Sequence, residues 1–400
     1  MISSVNRRSA DPRSNNDSRV NIKKKVNIVG GGVIGLSVAW ELSRRGHAVT
    51  LIERNADQSI APVEQPTSWT AGGILPPANF ELATDPMERF RGFSHQLWPQ
   101  WAEQLHQQSE IDPGFVRCGG YYLAETAGEA AAMIGMVSYW DEMGIVCEAV
   151  SPDNLRTKQP WLGSWADQNP WIQEHPDAAA WWVPDEYQVR PPRLLQALVA
   201  ACQKNGVQFR HGDSVSHLSD VTRESEDEPI IVCGGTWAGL VDVDLNLENA
   251  LIPIRGQILL LRCESMNNPI VVNLGNRYLI ARGDGHVLVG SCEEEVGFDR
   301  STTDDEIDTL RQFAGRLNPE LTDAPEIQRW AGLRPMTFDG FPMIGRVPNR
   351  HSVFVAAGHY RSGIHFAPAT AVAIADGIEN QPTFMDMTPF SVGRQQAHAQ

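Results

Sequence analysis

KVNIVGGGVIGLSVAWELSRRGHAVTLIER, residues 25–54, is the stretch on which the fold turns. Val26–Val29 is mostly β-branched, the composition of a strand buried on both faces. Residues 33–45 carry apolar side chains at helical spacing, and HAVTLIE (47–53) reads as a second strand. Strand, glycine turn, helix and strand within about thirty residues make a βαβ unit. Gly30-x-Gly32-x-x-Gly35 falls at the strand–helix turn, and Glu53 ends the second strand. The first glycine permits the tight turn, the second lets a pyrophosphate approach the backbone, and the third lets helix and strand pack closely. The helix start presents unpaired N–H groups and a positive field to phosphate. Glu53 stands where a carboxylate accepts hydrogen bonds from a ribose diol. In this context the fingerprint predicts a bound dinucleotide, either NAD or FAD.

The chain has 400 residues, so two domains are expected. Apolar residues make up 42% and charged residues 20%, an ordinary globular balance with no run long enough to cross a membrane. Net charge is −16, unevenly spread. Residues 1–25 carry seven Lys/Arg and two Asp, giving +5, so the rest carries −21. An acidic body argues against nucleic acid as a partner. The basic head, residues 1–23, is polar and without periodicity, so a disordered tail is expected there. It lacks the apolar core of a secretory signal. Six scattered cysteines with no C-x-x-C support neither a metal cluster nor a disulfide framework, and fit a reducing cytoplasm.

Further along, Pro86–Glu110 and TAGEAAAMIGMVSYWDEMG read as helices, and GFVRCGGYYLA (114–124) as a hairpin. Five tryptophans (161, 165, 171, 181, 182) fit core and covering surface better than an aromatic cage. RPPRLLQALVAACQKNGVQFRHG reads as helix then strand, and PIIVCGGTWAG as a buried strand ending in glycines. Residues 251–292 hold several strands, STTDDEIDTLRQFAGRLNP a capped helix, and WAGLRPMTFDGFPMIG (330–345) a Gly/Pro-rich loop. The run TRESEDE reads as a solvated turn. SVFVAAGHYRSGIHFAPATAVAIADGIE closes the chain as strand, loop and helix. This late strand–glycine–helix is superfluous to a simple NAD domain. It suits a flavin domain whose cofactor is held by distant segments.

The blocks IVGGGVIGLSVAWELSRRGHAVTLIER, TSWTAGGIL, VCGGTWAG, RYLIAR, WAGLRPMTFDGFPMIGR and FVAAGHYRSGIHFAPATA run in one order from Val26 to about Asp376. In them the chain resembles the amine-oxidising flavoproteins of the D-amino-acid oxidase family, most of all the glycine oxidase type associated with thiamine thiazole synthesis. The resemblance implies non-covalent FAD, with no cysteine near GLRPMT to attach it. By position, Gly30, Gly32, Val33, Ile34, Gly35, Glu53 and Arg54 meet the pyrophosphate and adenosine. Thr67, Ser68, Gly72, Gly73 and Ile74 lie along the flavin, Val215 meets the adenine, and Gly234 sits in the VCGG turn. Gly358, His359, Tyr360, Arg361, Ser362, Gly363 and Ile364 wrap the isoalloxazine end. Arg334 holds the substrate carboxylate, Tyr278 is an active-site tyrosine, and Arg361 is a second substrate-side arginine. The link between Val215 and IIVCGG is about ten residues shorter than in relatives. Glu293 replaces a methionine and Asn276 a histidine, changes that bear on substrate preference.

The implied fold is α/β: a Rossmann-type FAD-binding domain (24–85, 190–250 and 325–385) and an α+β substrate domain on a mostly antiparallel sheet (86–189 and 251–324). Residues 386–400 form a C-terminal tail. The implied reaction is oxidative deamination of glycine, another small D-amino acid or a secondary amine. Hydride passes from the α carbon to flavin, giving oxo acid and ammonia, with oxygen as acceptor and hydrogen peroxide as product. An arginine fork suits a carboxylate, and with the cofactor doing the hard step no general base is demanded. Arg334 and Tyr278 each have a blander reading, surface ion pair and sheet packing. Arg361 either touches substrate or braces its loop, and His359 reads as a structural hydrogen-bond partner rather than a base. The rivals are a D-amino-acid dehydrogenase feeding a quinone chain, a non-catalytic flavin-binding subunit and an NAD dehydrogenase. A cytoplasmic protein is expected, with a small amino acid or amine as substrate, no nucleic-acid partner, no metal, no transmembrane segment, and room for homo-oligomers.

Overall fold

The computed structural model describes residues 23–55, 65–242, 245, 247 and 250–394. The basic tail expected over 1–23 lies outside them, apart from Lys23. The βαβ unit is present as β1 (Lys25–Val29), α1 (Val33–Arg44) and β2 (Ala48–Glu53). Next come β3 (Ile74–Leu75), the long helix α2 (Pro86–Ser109), β4 (Val116–Arg117), β5 (Gly120–Leu123), α3 (Ala127–Glu142) and β6 (Glu148–Ala149). Short helices α4 (Pro152–Lys158), α5 (Gly163–Gln168) and α6 (Pro170–Glu174) precede β7 (Ala180–Val183) and β8 (Tyr187–Gln188). Then follow α7 (Pro191–Lys204), β9 (Gln208–His211), β10 (Ile230–Val232), β11 (Ile252–Arg262), β12 (Ile270–Leu274), β13 (Arg277–Ala281) and β14 (His286–Gly290). The chain continues through α8 (Asp304–Leu317), β15 (Glu326–Met336), β16 (Met343–Arg346), β17 (Val353–Ala357) and α9 (Gly363–Glu379).

One sheet has the order β16-β17-β10-β1-β2-β9 and is parallel except for β16–β17. Chain order reverses beside β1, with β2 on one side and β10 on the other. The crevice above such a switch point is where open α/β sheets bind ligands. Helices α1, α2, α7 and α9 share one apolar core against this sheet, with Trp40, Phe90, Trp98 and Phe366 buried in it. Past α9 the chain stays docked: Phe390 is buried in that core, and Arg394 bonds the Asp339 carboxylate.

The second sheet has the order β15-β11-β14-β13-β12-β5-β7-β6 and is antiparallel except where β12 meets β5. Side chains alternate faces along each strand. Leu259, Leu279 and Val289 turn to a core shared with Ile307, Leu310 and Phe313 of α8. The opposite face carries a cross-strand row: Trp330, Ile258, Gly290, Tyr278, Asn273 and Tyr122. This face roofs the crevice of the first sheet. The fold is therefore the expected pairing of a Rossmann-type layer with a mostly antiparallel sheet.

Three local readings need correction. GFVRCGGYYLA is not a hairpin: β4 pairs with β8, while β5 joins the large sheet between β12 and β7. The chain changes sheets at Cys118 and Gly119, whose N–H groups both donate to the Glu186 carbonyl. WAGLRPMTFDGFPMIG is a loop only over 337–342; its two ends are the end of β15 and the start of β16. Pro335 is tolerated because β15 is an edge strand, and Gly332 because a Cβ there would lie 1.9 Å from Thr70 Oγ1. Within 251–292 the runs LIPIRGQILLLR, RYLIA and HVLVGS read as strands, and the structure adds a fourth, β12. The tryptophans do pack as core: Trp165 and Trp181 are buried, Trp161, Trp171 and Trp182 lie against them, and none lines the crevice.

Two glycines test the packing argument with opposite signs. A Cβ on Gly35 would meet the Gly30 carbonyl oxygen at 1.9 Å, and backbone cannot swing aside. Gly35→Ala is expected to cost about 2–3 kcal/mol by thermal or urea unfolding. Gly135, exposed in mid-α3, has nothing within 4 Å of such a Cβ. Gly135→Ala is expected to stabilise by about 1 kcal/mol. Equal effects would contradict the close-approach reading.

Candidate active site

A cavity of about 780 Å³ runs from the β1–α1 turn to the roof strands β11–β15. At its nucleotide end Gly30 has φ +111°, and a Cβ there would strike the Cys233 carbonyl at 2.6 Å. The Gly31 N–H donates to Glu53 Oε2 at 2.6 Å, and the Asn55 N–H to Glu53 Oε1 at 3.0 Å. A carboxylate offers about four lone-pair sites, so room is left for ribose hydroxyls. The Val33 N–H donates to Ser68 Oγ at 2.9 Å, which ties the 67–70 loop to the helix start. Arg54 lies 4.0 Å above the Trp237 ring. Both α1 and α9 begin at this cavity without a side-chain cap or an acidic residue in the first turn. The positive ends of two helices favour an anionic or electron-accepting ligand, and these residues fit a dinucleotide such as FAD.

The middle of the cavity is built from close contacts. Thr67 Oγ1 and Thr236 Oγ1 both donate to the Leu333 carbonyl, at 2.9 and 3.2 Å, fixing loop and turn against β15. Arg282 Nη2 donates to the Gly72 carbonyl at 2.6 Å, and Nη1 to Gln188 Oε1 and the Val189 carbonyl. Burial pushes the Arg282 guanidinium down to about 10, still charged at neutral pH. The Tyr278 ring packs on Gly72, where a Cβ would approach it to 3.1 Å. Tyr278 Oη also lies close to Gly290, 2.7 Å from the position of a Cβ there.

Arg334 leaves β15 and lies flat across Gly256 of β11. Its Nη1 donates to the Cys292 carbonyl at 2.9 Å and its Nη2 to Ser291 Oγ at 2.6 Å. These bonds use two of five guanidinium N–H donors among the described residues, and three stay available to a ligand. The segment that receives Arg334 is itself pinned. Buried Arg255 bonds the Glu294 carboxylate through Nε and Nη2, at 3.0 and 3.1 Å, and Gln257 donates to Glu294 and to Thr303.

Residues 359–364 of the late loop line the cavity, but the arginine among them is occupied. Arg361 Nη1 donates to Glu293 Oε1 at 3.2 Å and Nη2 to the Asn276 carbonyl at 3.4 Å. Tyr360 Oη donates to the same Glu293 oxygen at 2.6 Å. Of the two departures noted in the sequence, the Glu293 side chain holds Arg361, whereas position 276 contributes only its backbone carbonyl. His359 is buried, shares a 3.0 Å hydrogen bond with Thr370 Oγ1, and is pushed down to about 3 by burial. That matches a structural histidine.

Of the residues singled out from sequence, Gly30, Gly32, Val33, Ile34, Glu53, Arg54, Val215 and Gly234 line the cavity. So do the 67–68 and 72–74 loops, Tyr278, Arg334 and residues 359–364. Gly35 and Gly358 do not: the first packs helix on strand, the second makes a turn at φ +84° against Thr337. Sequence reading missed Gly256, Ser291, Cys292 and Arg282. A glycine inside the apolar strand IRGQILLL signals close approach, and that cue pointed to Gly256. No cue marked the others.

A family model described as FAD dependent oxidoreductase (DAO) matches residues 25–377. A glycine oxidase of Geobacillus kaustophilus is 30% identical over 379 residues, 92% of this chain and 96% of that protein. A glycine oxidase of Pseudomonas aeruginosa is 30% identical over 381 residues, with 92% and 99% coverage. The crystal structure of glycine oxidase from Geobacillus kaustophilus matches with a TM-score of 0.82 at 28% identity, covering 93% of this chain and 99% of that one.

A Cβ on Gly256 would lie 2.1 Å from Arg334 Nη2, the mobile end of a flexible side chain. Gly256→Ala is therefore expected to fold and keep its flavin absorbance, yet bind a carboxylate ligand about tenfold or more weakly by titration. Unchanged affinity would refute the placement. The Arg255 hydrogen bonds hold the Glu294 carboxyl down at about 2. Its folded value lies below the unfolded value of about 4.3, so its stabilisation is full above about pH 4.3 and lost as pH falls towards 2. The melting-temperature gap between the protein and Glu294→Gln is expected to be widest near neutral pH and to close through that acid window. A gap independent of pH would count against the ion pair.

Proposed function

From the premise that the chain belongs to the DAO family of FAD-dependent oxidoreductases, we propose that it oxidises a small amino acid, glycine or a short α- or N-substituted relative, anchored by its carboxylate on Arg334. The observation that carries this reading is Arg334 itself: a cation aimed into the nucleotide cavity, steadied by two protein acceptors, with three donors to spare. When bound, FAD would be held by the α1 start, Glu53 and the 67–74 loop and would supply a two-electron acceptor for the α C–H bond.

The chain's residues position and polarise. A planar guanidinium binds a carboxylate through two parallel hydrogen bonds, which fixes position and rotation together. Tyr278, beside Gly290, closes the same pocket from the roof and orients the bound acid. The 72–74 loop, clamped by Arg282, sets the floor. Orientation of this kind contributes several kcal/mol to a barrier. The buried His359 stays neutral near pH 7 and is engaged with Thr370, so the substrate amine loses its proton to solvent on entry. The products are the imine, hydrolysed to oxo acid and ammonia, and, with dioxygen as acceptor, hydrogen peroxide.

Anaerobic addition of glycine, sarcosine or D-alanine to the FAD-loaded protein is expected to bleach the flavin absorbance. Aerobic turnover is expected to release one peroxide per amine. In Arg334→Met the concentration for half-maximal bleaching is expected to rise about a hundredfold, the size of a lost charged hydrogen-bond pair. Bleaching at an unchanged concentration would remove Arg334 from the substrate site.

A further inference from the structure

The cavity does not end at Tyr278. Two positions along the roof row stand Asn273 and Tyr122, and facing them are Arg91 of α2 and His365 of α9. This far wall is rich in unanswered polar atoms. Asn273 Nδ2 and both ring nitrogens of His365 are buried and have no hydrogen-bond partner among the described residues. Buried polar groups are seldom left so, and such a cluster facing a cavity marks a missing ligand. Arg91 spends only Nε on its neighbour Glu88, at 3.2 Å to each carboxylate oxygen. Among the described residues its two terminal nitrogens have no hydrogen-bond partner, and its guanidinium sits 5.2 Å from the Phe366 ring centre. The donors outnumber the acceptors, and one is a cation, so an anionic oxygen ligand fits.

Two carboxyls stand near. Glu88 is engaged by Arg91 Nε. Glu186 lies behind Tyr122, whose Oη donates to Glu186 Oε2 at 2.8 Å, and does not itself line the cavity. Burial pushes Glu186 up to about 8, so at neutral pH it is mostly uncharged and does not repel an anion. Arg334, Asn273 and Arg91 line one continuous cavity, so a single substrate can address both ends.

We propose that Arg91 and Asn273 Nδ2 form a second carboxylate subsite, and that the preferred substrate is an amine bearing two carboxylates, one on Arg334 and one here. This rests on the reading of Arg334 as carboxylate anchor. Iminodiacetate is the simplest such amine. With dioxygen and water it would give glyoxylate, glycine and hydrogen peroxide, the C–H bond beside nitrogen being oxidised and oxygen reduced.

The test uses the full FAD-loaded chain and a matched pair of ethers that cannot be deaminated. Methoxyacetate carries one carboxylate, and diglycolate adds a second at the far end. Calorimetry is expected to show diglycolate binding at least tenfold more tightly. Arg91→Gln and Asn273→Ala are each expected to bring the ratio of the two dissociation constants within about threefold of unity, a ratio that a general loss of folded protein does not move. In turnover, iminodiacetate is expected to exceed sarcosine in kcat/KM by a similar factor. A ratio near unity in the unaltered protein, or one that survives Arg91→Gln, overturns the subsite. If methoxyacetate binds and sarcosine bleaches the flavin while diglycolate gains nothing, only the subsite falls. If no amine bleaches the flavin, the amine-oxidation reading falls as well.

Discussion

A hydrogen atom in place of a side chain, at Gly35, is the constraint from which the rest of the structure follows. The Gly30 carbonyl oxygen lies where a Cβ would be, so α1 can seat directly on β1. Only then do the first N–H groups of that helix face the crevice at the switch point of the parallel sheet. The same device recurs where the two sheets approach each other. Gly332 admits Thr70, Gly72 admits the Tyr278 ring and Gly256 admits the Arg334 guanidinium. The cavity is therefore defined by positions where the chain gives up side-chain volume so that a functional group, or a loop that carries one, can come close.

Around those contacts the arginines divide by what they are bound to. Arg255 and Arg282 are structural: one is answered by Glu294 and Asp299, the other by the Gly72 and Val189 carbonyls and Gln188. They pay the desolvation of buried charge with several well-formed bonds. Arg334 and Arg91 are only partly answered, and both face the cavity. Arg361 sits between the classes, at the mouth, tied to Glu293 and to the 275–276 turn. It couples the late loop to the roof, so a change at Glu293 acts on the loop's conformation and on the charge at the entrance together.

Much of the site could be read from sequence because its parts are local. The Gly30–Gly35 turn, Glu53 and the Gly358–Gly363 loop each carry their chemistry within a few residues. Where reading failed, the deciding contact was distant. GLRP looked like a loop because glycine and proline break strands in general, yet at a sheet edge proline forfeits no ladder bond and Gly332 makes room for Thr70. GFVRCGGYYLA looked like a hairpin because its two halves are adjacent, but its strands answer Tyr187–Gln188 and Ile270–Leu274 instead. Arg361 could be placed at the site, but what it grips could not.

The sequence by itself determined the dinucleotide cradle, the family resemblance and the arginine expected to hold an acid, because backbone geometry at glycines and the valence of a guanidinium are local properties. Only the tertiary structure decided which donors are already spent. It set Arg334 against Ser291 and Cys292, closed Arg361 onto Glu293, and left Asn273 Nδ2 and the His365 ring without a partner among the described residues, on the same wall as Arg91. Hydrogen-bond saturation is a property of neighbours in space, and those neighbours come from strands and helices far apart along the chain.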